Sequence, residues 1–283
     1  MNGETKKERG TKPWWRRHLA AILILAAVAA LGVDAFLIEP YDIQVTHYTI
    51  QTGEGGAPAV KTPLKIADLT DLHTRGIGRR EREMLAVLAE EKPDVILITG
   101  DTLADPIGNY SAVREIYERL NELHAPLGVW FVRGNWENIR PLRHERLFYD
   151  DAGVNLLLNQ NHELRPDVWL VGLDDASTGR PNLHEALEGV PANVYTIAMF
   201  HAPAYFDRIA GRVNLVLAGH THGGQVLIPF VKPFWLPSGS GRFLSGWYEE
   251  EGSRMYVSRG VGMSEIPVRF RCRPEITFIT LEP

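Results

Sequence analysis

The segment Leu64-Lys65-Ile66-Ala67-Asp68-Leu69-Thr70-Asp71-Leu72-His73 sets an apolar run directly against two side chains of metal-ligand type. Leu64–Leu69 reads as a strand, and Asp71 and His73 stand at i and i+2 just beyond it, on one side of an extended segment. The same order recurs downstream. Val95–Thr99 leads to Gly100-Asp101, Val129–Val132 to Gly134-Asn135, Tyr195–Phe200 to His201, and Leu215–Ala218 to Gly219-His220-Thr221-His222-Gly223-Gly224. Between the early strands, Arg79–Lys92 has helical spacing at Met84, Leu85, Val87 and Leu88, and Tyr110–Leu123 reads as a second helix. A first strand is expected around Ile43, Val45, Tyr48 and Ile50, before the flexible Gly53-Glu54-Gly55-Gly56. Later strands are expected at Trp169–Leu173, Met255–Ser258 and Ile276–Leu281. The early alternation predicts an α/β fold with a β-rich second half. In open α/β sheets ligands bind beyond the carboxyl ends of the strands, so these polar residues should converge.

Taken singly, most of the pieces are ordinary. Asp-x-His after a strand is more often a turn carboxylate beside a surface histidine, Gly-Asp is usually a turn, and His201 alone would more often be a satisfied core residue. Gly219-His220-Thr221-His222-Gly223-Gly224 is more specific, because two histidines so placed among glycines have little packing purpose. All five pieces, each at a strand end, point to a metal site. Mixed oxygen and imidazole ligands suit Mn, Fe, Zn or Co and disfavour calcium, which prefers all-oxygen sites.

The composition of the 283 residues, 45% hydrophobic and 23% charged, is that of an ordinary globular protein. The overall charge of −5 is uneven. Residues 1–18 carry six basic and two acidic residues, net +4, which leaves −9 on the remainder. Such an acidic body argues against a nucleic-acid-binding module. Cys272 is the sole cysteine, which excludes an internal disulfide and a cysteine-rich zinc site.

Residues 19–38 form an apolar run interrupted only by Asp34, long enough to cross a bilayer as a helix. Trp14 and Trp15 suit the headgroup zone, and Asp34 falls near the far interface. No Lys or Arg follows the run until Lys61, so the positive-inside rule leaves a basic cytoplasmic tail at 1–18, an anchor at 19–38, and the body, 39–283, outside the cytoplasm. Two other readings compete. Ala27-Val28-Ala29 offers a signal-peptidase site. Arg16-Arg17 hints at a twin-arginine signal, which the flanking Trp14, Trp15 and His18 match poorly.

On the motifs Asp71-Leu72-His73, Gly100-Asp101, Gly134-Asn135, Phe200-His201 and Gly219-His220-Thr221-His222-Gly223-Gly224-Gln225, the chain resembles the calcineurin-like metallophosphoesterase superfamily. The resemblance runs from Lys65 to about Pro274. With Ser258-Arg259-Gly260-Val261-Gly262 and Arg269-Phe270, it is similar to a bacterial membrane-anchored branch that includes cell-envelope phosphodiesterases and enzymes cleaving UDP-2,3-diacylglucosamine. The resemblance implies two packed β-sheets flanked by helices, here preceded by one transmembrane helix. It also implies hydrolysis of phosphodiester or pyrophosphate bonds in a cell-envelope or lipid-linked phosphate-ester substrate at a bacterial cell membrane. One metal would be held by Asp71, His73 and His222, the other by Asn135, His201 and His220. Asp101 would bridge them, with manganese the expected ion and Fe, Zn or Co the alternatives. Such a pair, about 3.5–4 Å apart, activates water for in-line attack on phosphorus.

The sequence departs from the family at one position. The usual Gly-Asn-His-Asp or Gly-Asn-His-Glu reads Gly134-Asn135-Trp136-Glu137, and tryptophan cannot replace the histidine credited with protonating the leaving group. Trp136 is then a wall of the site, and the alternative is a metal-binding scaffold of impaired turnover. A departing phosphate monoester, with its second pKa near about 6, needs such an acid least, which favours diphosphate substrates. His124, His144, His162 and His184 lie outside the motifs and are expected at the surface.

Overall fold

The computed structural model describes residues 14–104 and 109–283. Of the basic tail read at 1–18, residues 1–13 lie outside the described residues. Among the described residues, twelve strands form two six-stranded sheets. The first sheet runs β1 (Gln44–Gln51), β12 (Glu275–Glu282), β2 (Leu64–Leu69), β3 (Val95–Ile98), β4 (Val129–Phe131) and β5 (Asn155–Leu156). The second runs β10 (Gly246–Glu250), β11 (Ser253–Val257), β9 (Leu215–Ala218), β8 (Tyr195–Met199), β7 (Val168–Gly172) and β6 (Gln160–Arg165). The two packed sheets expected from the sequence are present.

The central strands are apolar on both faces because both faces are covered. Ile66 of β2 and Leu97 of β3 pack with Leu170, Ile197 and Leu217 of the opposing sheet, forming the layer between the sheets. Ala67, Leu69, Ile96 and Ile98 point the other way. There they meet Met84 and Leu88 of α2 (Arg79–Glu91) and Val113, Ile116 and Leu120 of α3 (Tyr110–Asn121). A third cluster joins Val171, Ala198 and Val216 to Phe206 and Ile209 on the outer face of the second sheet.

β2, β3 and β4 are parallel neighbours, as are β8 and β9. Each set therefore ends on one edge, and the two edges meet where the motif residues stand. Edge strands β6, with sequence Gln-Asn-His-Glu-Leu-Arg, and β10, Gly-Trp-Tyr-Glu-Glu, carry no apolar run and were not expected from the sequence. Edge position explains this, since one long side is unpaired and of their side chains only Leu164 is buried.

The N-terminal helix α1 (Trp14–Val33) continues through a wider π turn, Asp34–Ile38, and a tighter turn, Glu39–Tyr41. His18–Tyr41 is long and apolar enough to cross a membrane. Its side chains project outward, Ile24 and Leu25 being 63% and 69% exposed. At the end of the helix Ala35 is buried, its carbonyl accepting from Arg269 N at 3.0 Å. The Glu39 carboxylate accepts from the backbone N–H groups of Arg271 and Cys272.

Candidate metal centre

The loops that leave the parallel strands do not remain extended. Asp71, His73, Asp101, His220 and His222 all have positive φ, between 42° and 73°. The expected extended placement of Asp71 and His73 is thus corrected. Left-handed backbone turns each pair inward, a conformation costly for residues with a Cβ and typical of functional sites. Hydrogen bonds hold this geometry, Asp71 N donating to Gly100 O and His73 N to Asp101 O, both at 3.0 Å.

Asp71, His73 and His222 form one buried group whose ligand atoms converge, and Asp101, His201 and His220 form another. Asp71 Oδ2 accepts from Thr70 Oγ1 and His220 N, each at 2.9 Å, which leaves Oδ1 for the centre. That oxygen lies 3.2 Å from His222 Nε2 and 3.8 Å from both His73 Nε2 and His201 Nε2. Asp101 Oδ1 accepts from Trp136 N at 2.9 Å. Its Oδ2 stands between the groups, 3.1 Å from His201 Nε2 and 3.9 Å from His73 Nε2.

Backbone carbonyls select the tautomers. His73 Nδ1 donates to Leu103 O at 3.0 Å and His201 Nδ1 to Thr99 O at 2.7 Å, directing both Nε2 lone pairs inward. His220 donates through Nε2 to Ser238 O at 2.8 Å and so presents Nδ1. His222 shows no such lock among the described residues, its Nδ1 being buried without a partner there.

This set fits divalent cations. Among the described residues Asp71 Oδ1, Asn135 Oδ1 and His201 Nε2 are buried with no hydrogen-bond partner, and His73 Nε2 faces His222 Nε2 at 3.2 Å, a contact whose proton depends on the His222 tautomer. Buried acceptors aimed at one another are costly unless something positive lies among them. Burial works against the charge of Asp71, yet His222, His201 and His73 hold its carboxyl well below the usual range. Burial likewise disfavours a His201 cation, but Asp101 and Asp71 raise its pKa well above normal. Burial and the neighbouring His201 lower His220, and burial lowers His222 despite Asp71. The carboxylates demand positive charge that these last two imidazoles resist supplying.

The sequence reading missed the braces around the centre. Glu137 is buried at the third position of α4 (Asn135–Ile139). It accepts from Asp101 N at 3.0 Å, Gly134 N at 2.9 Å and Leu103 N at 3.0 Å. Its place three residues after the helix N-cap was the available signal. Arg80, also buried, donates to Leu72 O at 3.0 Å. Arg269 is fully buried and donates to main-chain carbonyls, among them Arg259 O and Gly260 O at 2.9 Å, and to Cys272 Sγ. Burial lowers its pKa to about 10. The turn it holds lies against Asp71, with Gly262 N donating to Asp71 O at 2.7 Å. No local pattern marks Arg269 as a buried brace.

Trp136 is half-buried, edge-on to His73 with ring centroids 6.4 Å apart, and packs against the core of the first sheet. His124, His144, His162 and His184 are exposed. The mouth of the centre, about 260 Å³, is lined by Asn135, Trp136, His220, His222, Trp235 and Glu265. Glu265 is exposed and has φ of 59°. Two grooves open beside the mouth. One, about 1000 Å³, carries Arg75, Arg79, Arg80 and Tyr41. The other, about 550 Å³, is apolar, with Val226, Phe234, Trp235, Ile266 and Val268 around His222.

Residues 64–224 match the family model described as calcineurin-like phosphoesterase. A metallophosphoesterase of Bacillus subtilis (YkuE) is 30% identical over 274 residues, covering 91% of this chain and 92% of its own length. A phosphodiesterase of Escherichia coli (YaeI) is 32% identical over 231 residues, covering 77% and 82%. A bovine transmembrane protein with a metallophosphoesterase domain is 31% identical over 265 residues, covering 83% of this chain and 56% of its own length. Matched over more than half its residues, and carrying two buried His/Asp groups that converge at the ends of paired sheets, the chain belongs to the calcineurin-like phosphoesterase family of metal-dependent hydrolases.

Proposed function

We propose that the protein is a dinuclear phosphoesterase cleaving phosphodiester or pyrophosphate bonds of a cell-envelope or lipid-linked substrate. The observation that carries the reading is the convergence of two buried ligand groups on the shared edge formed by Asp71 Oδ1 and Asp101 Oδ2. In this reading Asp71, His73 and His222 would hold one ion and Asn135, His201 and His220 the other, with Asp101 facing both. Manganese is the ion expected. Two bound cations would neutralise phosphoryl oxygens and activate water. The chain's own part is to hold the tautomers of His73, His201 and His220, to present Asn135 Oδ1, and to wall off solvent with Trp136.

The grooves support the substrate class. Exposed Arg75 and Arg79 on one side of the mouth suit a second anionic group, and the apolar cleft on the other suits hydrocarbon. The Escherichia coli relative is named a phosphodiesterase. We read 1–18 as a cytoplasmic tail, 19–38 as the anchor and 39–283 as a catalytic domain outside the cytoplasm, which favours an exported lipid phosphate over a UDP-linked precursor.

The test is turnover by the purified full chain in detergent with Mn, comparing bis-p-nitrophenyl phosphate, p-nitrophenyl phosphate and diphosphates. Diester or diphosphate hydrolysis that disappears on chelation and returns with Mn is expected. Metal binding with no turnover of any ester would instead favour the scaffold reading, to which the tryptophan at 136 lends its weight.

A further inference from the structure

We propose that Leu227–Leu236 is a second membrane contact, resting in the headgroup region of the bilayer that α1 spans. The segment reads Leu-Ile-Pro-Phe-Val-Lys-Pro-Phe-Trp-Leu, and Lys232 is its only charge. Its apolar side chains face outward. Phe230 is fully exposed, Phe234 73%, Trp235 62% and Val231 47%. So many large apolar groups in ten residues form a surface that water disfavours and that marks a contact site.

Position identifies the partner as lipid. The 20 residues of α1 and the five of the π turn extend about 37 Å at 1.5 Å per residue, against about 30 Å of hydrocarbon. Ala35 to Ile38 therefore stand at the interface. Arg269 is hydrogen-bonded to Ala35, and the following Phe270 pairs with the start of the loop. Phe270 N donates to Gln225 O at 3.0 Å and Leu227 N to Phe270 O at 2.9 Å. Two backbone spacings of about 4.8 Å thus separate the helix end from the loop's first residues, which keeps the loop at headgroup depth. Phe36, Leu37 and Ile38, in the turn that ends the helix, are exposed as well. Aromatic side chains beside one lysine have the composition of an interfacial segment, the ammonium facing lipid phosphates.

The proposal rests on the anchor reading and not on the catalytic one. A spin label on Phe230→Cys in the full chain, reconstituted into phosphatidylethanolamine/phosphatidylglycerol vesicles, reads depth directly. Cys272 is buried, and the parent chain carried through the same labelling measures its background. Phe230 is fully exposed, so its replacement leaves the fold intact. The label should collide more with oxygen than with a water-soluble nickel chelate. A label on Glu163→Cys, on exposed strand β6, should show the reverse. Equal nickel access at both positions overturns the proposal, and so does dipolar broadening that places a second copy against the loop. Flotation of the vesicles after alkaline washing reports the anchor separately. A chain that floats with a wet loop loses this proposal alone, whereas one that does not float loses both.

Discussion

Gly134 and Asp101 are packed so closely that a Cβ on the glycine would come within 2.6 Å of the aspartate's backbone nitrogen and 2.7 Å of its carboxyl carbon. Hydrogen sets this approach, since any other residue must displace the carboxylate that stands between the two ligand groups. Gly134→Ala should therefore lower both metal content and kcat, the latter by about 10²-fold, the scale of an ångström-sized misplacement. Metal analysis and turnover check it. Full retention of both would show that the loop yields without moving Asp101.

The bridging position proposed for Asp101, whose Oδ2 stands between the two groups, makes a second, comparative prediction. Asp101→Asn removes charge facing both groups, whereas His73→Ala removes one ligand from one of them. Metal analysis of the two purified variants should give the lower occupancy for Asp101→Asn. Two ions per chain in that variant would rule out the bridge.

Trp136 and Glu265 share the mouth, and of the two only the glutamate has an acidic side chain. Trp136→His should accelerate esters with alkoxide-like leaving groups, within the 10²–10⁴-fold expected of general acid catalysis, and leave nitrophenyl esters nearly unchanged. Glu265→Gln should slow the alkyl esters if its carboxyl supplies the proton in the parent. Rate plotted against leaving-group pKa separates the cases. Equal gains for all esters in Trp136→His would return Trp136 to a purely steric role.

Asp68 is fully buried on β2, and among the described residues neither carboxyl oxygen has a hydrogen-bond partner. Burial, then Glu275 and Asp71, raise its pKa well above the ordinary value. A raised acid costs nothing at low pH, where folded and unfolded chains are both protonated. The cost grows as pH rises from the unfolded value toward the folded one and persists above it. Asp68→Asn should thus raise Tm at neutral pH, on the order of a few degrees, with the gain vanishing in acid. Calorimetry across pH tests this, and a gain independent of pH would contradict the assignment.

How much of this was legible in the chain can be judged residue by residue. Asp71, Asp101, Asn135, His201 and His220 each follow an apolar run, and strand identity is a local property, so their place at strand ends was readable without coordinates. The outward-facing helix around Ile24 and Leu25 was readable for the same reason. Polar edge strands β6 and β10 were not, because their pairing owes nothing to an apolar pattern of their own.

The sequence by itself determined the ligand types, their order along strands and the apolar N-terminal helix, all of which depend on neighbours within a few residues. Only the tertiary structure decided the left-handed turns at Asp71 and His222 and the division of ligands into two groups. It alone decided the brace of Glu137 on Asp101, 36 residues away, and the tie from Ala35 to Arg269, whose neighbour Phe270 pairs with the start of the Leu227–Leu236 loop. Each of these rests on hydrogen bonds between segments far apart in the chain. Such bonds leave no periodic signal, because they are selected by where the two sheets meet.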